Sequence, residues 1–382
     1  MRVTQRFYEG LIFFLSLLNC VKIVFYGNKY FELASLIVTI GVLLFLFFES
    51  DLINIESSIL TVLFVLTSLS LTILLKGGAG TAVNYLIIML SSMLFSSYGI
   101  SRRKIRNMFA VNGFILLLFL LLLKREEHYS FYSFKTFLGQ PINSNMVGMI
   151  SLMAFFFLFY VGINIEDIGL RIVYFLPVFI VCTYFFVISE CRSIFLALIL
   201  FFLFYIFKRS KFNESSLRTI IFISQICSFL FVIFYIFLYR SEAELGLGLF
   251  GKTFFSGRQI VWESAFNVFF EHPFIGAGNS VYLNGVGDSF TRSAHNTVMS
   301  ILYVFGLLPT VCFYLFFGKK YDRKTIYRTS RFSQFVVIST LIITFLESFY
   351  MESYLGFLFM LFHIIEFVDM KDKNGYKIRE CL

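Results

Sequence analysis

Apolar runs about as long as a bilayer is thick follow one another along most of this 382-residue chain. A helix needs about 20 apolar residues to cross the hydrocarbon core. Reading on that rule predicts about twelve spans, near 8–27, 31–48, 57–75, 79–97, 107–123, 143–162, 169–189, 193–207, 218–238, 294–317, 332–348 and 353–368. Only 14% of residues are charged and 58% are hydrophobic, whereas a soluble domain carries roughly 25% charged residues. Such a chain has too few polar groups to cover a water-facing surface. The expected fold is an all-α integral membrane protein. Arg2 and Arg6 precede the first apolar run as in a signal peptide. The run continues past Cys20, so the expectation is an uncleaved first helix.

The net charge of +9 does not call for nucleic acid in such a protein, because Lys and Arg gather in cytoplasmic loops. With the N-terminus inside, 21 Lys and Arg fall inside and 10 outside. The inner set includes "SRRKIR" (101–106), "KRSK" (208–211) and "KKYDRKTIYRTSR" (319–331). Both termini are therefore expected on the cytoplasmic side of the cell membrane. The expected organisation is a bundle of nine spans over 1–238, an outer loop at 239–293, spans ten to twelve at 294–370, and a cytoplasmic tail at 371–382. The six cysteines are scattered and show neither metal spacing nor a disulfide framework.

The outer loop is too long to be a mere connection. Ser256 or Gly257 can start a helix, and "RQIVWESAFNVFFEHP" places apolar residues at 260, 261, 265, 268 and 269 on roughly one helical face. Pro273 ends it. The expectation is an amphipathic helix on the outer membrane surface, with Trp262 at headgroup level.

Polar residues that carry chemistry converge on the same outer side. Arg192 follows span seven closely enough that an unpaired guanidinium would be costly, so Glu190 or an anionic ligand is its expected partner. Arg258 stands at a helix start, where its charge opposes the macrodipole but suits an anion site. Arg292 is a weaker third cation. His295 heads an apolar helix, and Asn296 beside it can orient the loop or a sugar by hydrogen bonds. Acidic residues within spans are almost absent, which disfavours an ion-coupled transporter.

The ordered set "SGRQIVW…EHPFIGAGNSVY…SAHNTVMSILYVFGLLP" resembles the signature region of the O-antigen ligase and polymerase family. The matching residues are Gly257, Arg258, Trp262, His272, Pro273, Gly276, Gly278, His295, Asn296 and Gly306. "CRSIFLAL" resembles the family's earlier outer Arg at Arg192, and "INSNMVG" (142–148) its Asn-rich start of a middle span. Pro309 departs from the pattern, standing where a second helix glycine is frequent. The specific part covers residues 256–309.

The resemblance implies a GT-C-like bundle acting on the outer face of the bacterial cytoplasmic membrane. Its substrate would be an oligosaccharide on a polyprenyl diphosphate. On that reading Arg192, Arg258 and Arg292 bind the diphosphate, since guanidinium forks match phosphate oxygens. His295 is the base, as imidazoles titrate near neutrality. Asn296, Glu190 and Trp262 support them. No acidic cluster suggests a hard cation, so no metal or cofactor is expected. The expected activity is polymerisation of a surface polysaccharide, with transfer to another acceptor as a ligase the alternative. A chain-length regulator and a flippase are candidate partners. Two other classes stay open. A flippase or other transporter would line its interior with charges at mid-depth. In a receptor or scaffold the side chains of Arg192, Arg258 and His295 would diverge.

Overall fold

A computed structural model of the protein describes residues 2–48, 59–68, 79–97, 99–125, 134–208, 212–241, 248–249, 252–253, 257–278, 281–285, 290–291, 294–320, 330–347, 353–371 and 377–381. Helices dominate them. The first five are α1 (Arg2–Val24), α2 (Lys29–Phe48), α3 (Ile59–Ser68), α4 (Ala79–Ser97) and α5 (Arg102–Leu121). The middle of the chain forms α6 (Ser144–Ile163), α7 (Ile168–Ser189), α8 (Arg192–Phe207) and α9 (Glu214–Arg240). Then come α10 (Arg258–Glu271), α11 (Thr297–Phe305), α12 (Leu307–Lys320), α13 (Arg331–Thr340), α14 (Ile343–Leu346) and α15 (Ser353–Met360).

Among the described residues, six helices are long and apolar enough to cross a membrane: α1, α2, α5, α6, α7 and α9. Several of the remaining apolar helices, such as α8, α12 and α13, run 10–17 residues, short of the roughly 20 that a span needs. The count of about twelve spans is not reached among the described residues, and in two of the expected spans the backbone interrupts the apolar run. Expected span ten breaks at Gly306 into α11 and α12, and span eleven breaks after Thr340 into α13 and α14. Span twelve ends in a short 3₁₀ turn at Leu361–His363.

Not every described residue is helical. Ile365–Lys371 runs parallel to Gly99–Ser101, with Gly99 opposite Ile365, and antiparallel to Lys377–Cys381. Within the region expected as a cytoplasmic tail, Lys377–Cys381 is thus paired as a strand.

α6 is the centre of the bundle. Its apolar window is 83% buried, against 22% for α2 and for α9. It packs against α5 and α7, and Phe155, Phe156 and Phe157 are enclosed within a dense set of aromatic contacts. α2, α7 and α9 turn apolar side chains such as Leu176, Phe179, Phe234 and Phe237 outward. In water such faces would be an aggregation hazard; in a bilayer they meet lipid. α15 seats on α1 and α4, while α10 rests on α9 and α11. Six long apolar helices, several of them with outward apolar faces, make this a multi-pass membrane protein.

The contacts of α10 correct its expected position. Trp262 is fully buried within the protein rather than facing a headgroup layer. Its ring packs against Phe231 and Tyr235 of α9. A buried indole N–H needs an acceptor, and Nε1 donates to the Ala294 carbonyl at 2.5 Å. Gln259, Val261 and Ala265 bury the same face. Arg240 of α9 donates to Glu263 of α10 from Nε at 3.0 Å. The amphipathic pattern thus reports packing onto the bundle.

Candidate active site

Five segments far apart in sequence meet at one end of the bundle, and a carboxylate joins three of them. Glu347 follows α14 directly and is almost wholly enclosed. Its Oε1 accepts from Arg258 Nη2 at 2.6 Å and from Asn145 Nδ2 at 2.8 Å. Its Oε2 lies 3.5 Å from His295 Nδ1. Its backbone carbonyl accepts from Thr297 Oγ1 at 3.0 Å. Burial pushes the Glu347 carboxyl up, but the Arg258 charge and the hydrogen bond and charge of His295 outweigh it. The group is held below its ordinary value, ionised beside Arg258, Asn145 and His295.

Each partner is set by local backbone chemistry. Asn143 caps α6 by accepting from the Asn145 N–H at 2.8 Å, which frees the Asn145 amide to reach Glu347. Arg258 is the first residue of α10, entered through Gly257 at φ +82°, a left-handed conformation natural to glycine. Gly257 offers no side-chain acceptor to the first turn, a feature shared with anion sites at helix starts. The Arg258 guanidinium is partly exposed, at 19%, while the Glu347 side chain is 6% exposed.

His295 takes φ +48°, a conformation costly for a residue with a Cβ unless its surroundings enforce it. Asn296 enforces it. Its Oδ1 caps α11 by accepting from Met299 N at 3.0 Å. Its Nδ2 donates to Ser228 Oγ of α9 at 3.0 Å and to the Phe345 carbonyl of α14 at 2.8 Å. Asn296 is fully buried. These bonds orient the loop. The imidazole beside Asn296 stays partly exposed, at 30%.

The motif glycines build the platform. Gly276 and Gly278 have φ +66° and +76°, and Gly306 φ +79°. Ala277 N and Gly278 N donate to the carbonyls of Tyr303 and Val304, and Leu307 N donates to that of Pro273. A Cβ on Gly276 would lie 2.5 Å from the Gly306 nitrogen, and one on Gly306 equally close to the Gly276 nitrogen. The loop after α10 is therefore clamped to the break between α11 and α12. Pro309 fits this arrangement. It falls in the first turn of α12, where a missing N–H costs little.

Arg192 opens α8 after a turn of only Glu190 and Cys191, with Glu190 at φ +50°. Burial first, and then the like charge of Arg258, push its guanidinium below the ordinary value; Tyr235, Cys191 and Glu347 act the other way. Glu347 is thus one carboxylate within electrostatic reach of Arg192. Burial, and after it the charge of Glu347, push the Cys191 thiol up to about 11. The guanidinium groups of Arg192 and Arg258 repel each other near the Glu347 carboxylate, and an anion between them would relieve that repulsion. Arg292 lies outside the described residues. Among the described residues no three His, Cys, Asp or Glu side chains gather as a metal set would.

Sequence reasoning missed Glu347 and left Asn145 as part of an Asn-rich stretch. A signal for Glu347 was present: an acid ends the otherwise apolar "LIITFLE". Acids at the rim of a span are rare enough to demand a partner.

Fold and site together define a multi-pass membrane protein with a guanidinium, carboxylate and imidazole cluster at one end of its bundle. Residues 177–314 match the family model described as O-antigen ligase. That segment runs from within α7 into α12 and contains Arg192, Arg258 and His295, so the resemblance seen in the motifs is shown by the family match. The match supports a membrane enzyme of the O-antigen ligase and polymerase type. No curated protein and no solved structure matches the chain.

Proposed function

We propose that the protein polymerises a bacterial surface polysaccharide (O-antigen, capsule or exopolysaccharide). It transfers a glycan from a polyprenyl diphosphate to a hydroxyl of a lipid-linked repeat unit, on the outer face of the cytoplasmic membrane. The observation that carries this reading is the convergence of Arg258 and His295 on Glu347, with Arg192 within electrostatic reach. A scaffold gives no reason for such convergence. A transporter would place its charges at mid-depth rather than at helix ends.

In this mechanism His295 Nδ1–H is turned to Glu347, which leaves Nε2 as the base. Nε2 takes the proton of the acceptor hydroxyl while that oxygen attacks the anomeric carbon. The bond to the diphosphate breaks, and its electron pair leaves on a phosphate oxygen facing Arg192 and Arg258. One displacement inverts the anomeric centre and needs no metal. Glu347 stabilises the imidazolium that forms, as a carboxylate does in other carboxylate–imidazole pairs. Transfer to a different acceptor, the ligase reaction, uses the same steps.

The test is purified protein with short lipid-linked repeats, without nucleotide sugar or added metal. A ladder of products is expected; one shifted product on a foreign acceptor would mark a ligase. His295→Ala and Arg258→Ala should each abolish the ladder while the protein still inserts. Arg258→Lys should be poor, because a point charge replaces a fork. Full-length polymer from these variants would refute the assignment.

A further inference from the structure

A groove of about 350 Å³ lies beside this site, within the usual range for ligand pockets. It runs between the end of α5, the second half of α7 and the strand Phe134–Lys135. Its walls are apolar, formed among others by Leu121, Phe134, Ile180, Tyr184 and Ile188, with Arg125 as the cation. Arg125 is exposed just past the end of α5 and forms no ion pair among the described residues.

Two chain connections tie the groove to the site. Ile188 is four residues before Arg192. Phe134 pairs with Ile142, three residues before Asn145, which holds Glu347. One end of the groove therefore opens toward the segments that carry the reacting centre. Arg125 is nonetheless a separate cation. Arg258 and Glu347 are among the charges that act on Arg192, whereas Arg125 lies across the groove on the segment that follows α5.

A polymerase must hold two lipid diphosphates at once. The donor's diphosphate leaves at the reacting centre. The acceptor's sits at the far end of its repeat unit from the attacking hydroxyl, so it needs a cation of its own beside an apolar track. We propose that this groove seats the polyprenyl chain of the acceptor lipid, with Arg125 meeting its diphosphate. This assignment rests on the polymerase reading above.

The probe is a photoactivatable farnesyl diphosphate added to the full-length protein in nanodiscs, with cross-linked peptides located by mass spectrometry. Labelling is expected on Ile180–Ile188. A tenfold excess of polyprenyl phosphate should compete it away, and dioleoyl phosphatidylglycerol should not. Arg125→Gln should cut labelling at least fivefold, and Ile180→Trp, which fills the groove with another apolar side chain, should do the same. Arg258→Ala should leave it in place. Equal competition by phosphatidylglycerol would show ordinary lipid contact and overturn the assignment. So would loss of labelling in Arg258→Ala with none in Arg125→Gln. Because labelling needs no turnover, groove labelling without a product ladder would sink the polymerase reading alone. A normal ladder without groove labelling would sink this assignment alone.

Discussion

Glu347 is bound to Arg258, His295 and Asn145 at once, so structural and chemical roles must be separated experimentally. Removing one partner of a buried ion pair costs about 3–5 kcal/mol, whereas replacing both by apolar residues is often neutral. Arg258→Ala is therefore expected to lower thermal stability, and the double variant Arg258→Met with Glu347→Leu to regain most of it. Polymer synthesis should stay absent in both. Recovery of synthesis along with stability would reduce the pair to a strut. Acidity gives a second handle. The folded carboxyl is held below its ordinary value. It therefore contributes stability above the unfolded value, roughly 4.3, that is lost as pH falls through the folded one. Melting temperature should drop on acidification through and below the carboxylate range, and that part of the slope should vanish in Glu347→Gln. An unchanged slope in the variant would show that Glu347 is not the titrating group.

Among the elements, the clamp between the loop after α10 and the break at Gly306 fixes the axis on which His295 stands. Gly276→Ala and Gly306→Ala each force a Cβ to within 2.5 Å of backbone atoms at positive φ, with little room to relax. The expected loss is about 1–3 kcal/mol or more in stability, read by thermal unfolding. Activity should fall although no charge has changed. Gly10→Ala, where a Cβ meets nothing within 4 Å, is the control. Equal melting of all three would mean that the clamp carries no load. The sequence displayed these glycines but not their purpose, because a positive φ and a contact between residues thirty apart leave no local periodicity. Helical runs were legible because a membrane span writes its length in apolar residues. The interruptions at Gly306 and after Thr340 were not, since apolar side chains continue across them. Arg192, Arg258 and His295 stood out as polar residues at span ends. Glu347 escaped because it was counted with the loop after it. Trp262 misled because an indole suits a headgroup and a buried carbonyl equally well.

For the whole molecule, the expected topology and the observed clustering meet in one consequence. Asn145, Arg192, Arg258, His295 and Glu347 all lie at connections that the charge pattern assigns to the outside, and the fold gathers the groups around Glu347 at one end. The connection around Leu138, held by Thr136 and Gln140, leads straight into α6 and belongs to that end. Arg103, at the start of α5, lies a full helix away at the other. Both positions are exposed. Leu138→Cys and Arg103→Cys, each in a background lacking the native cysteines, therefore report the two faces. In intact cells a membrane-impermeant maleimide should label position 138 and spare 103; in inside-out vesicles the preference should reverse. The opposite pattern would place His295 in the cytosol, away from any lipid-linked glycan already moved across the membrane. The diphosphate chemistry would then have no substrate, whatever the geometry around Glu347.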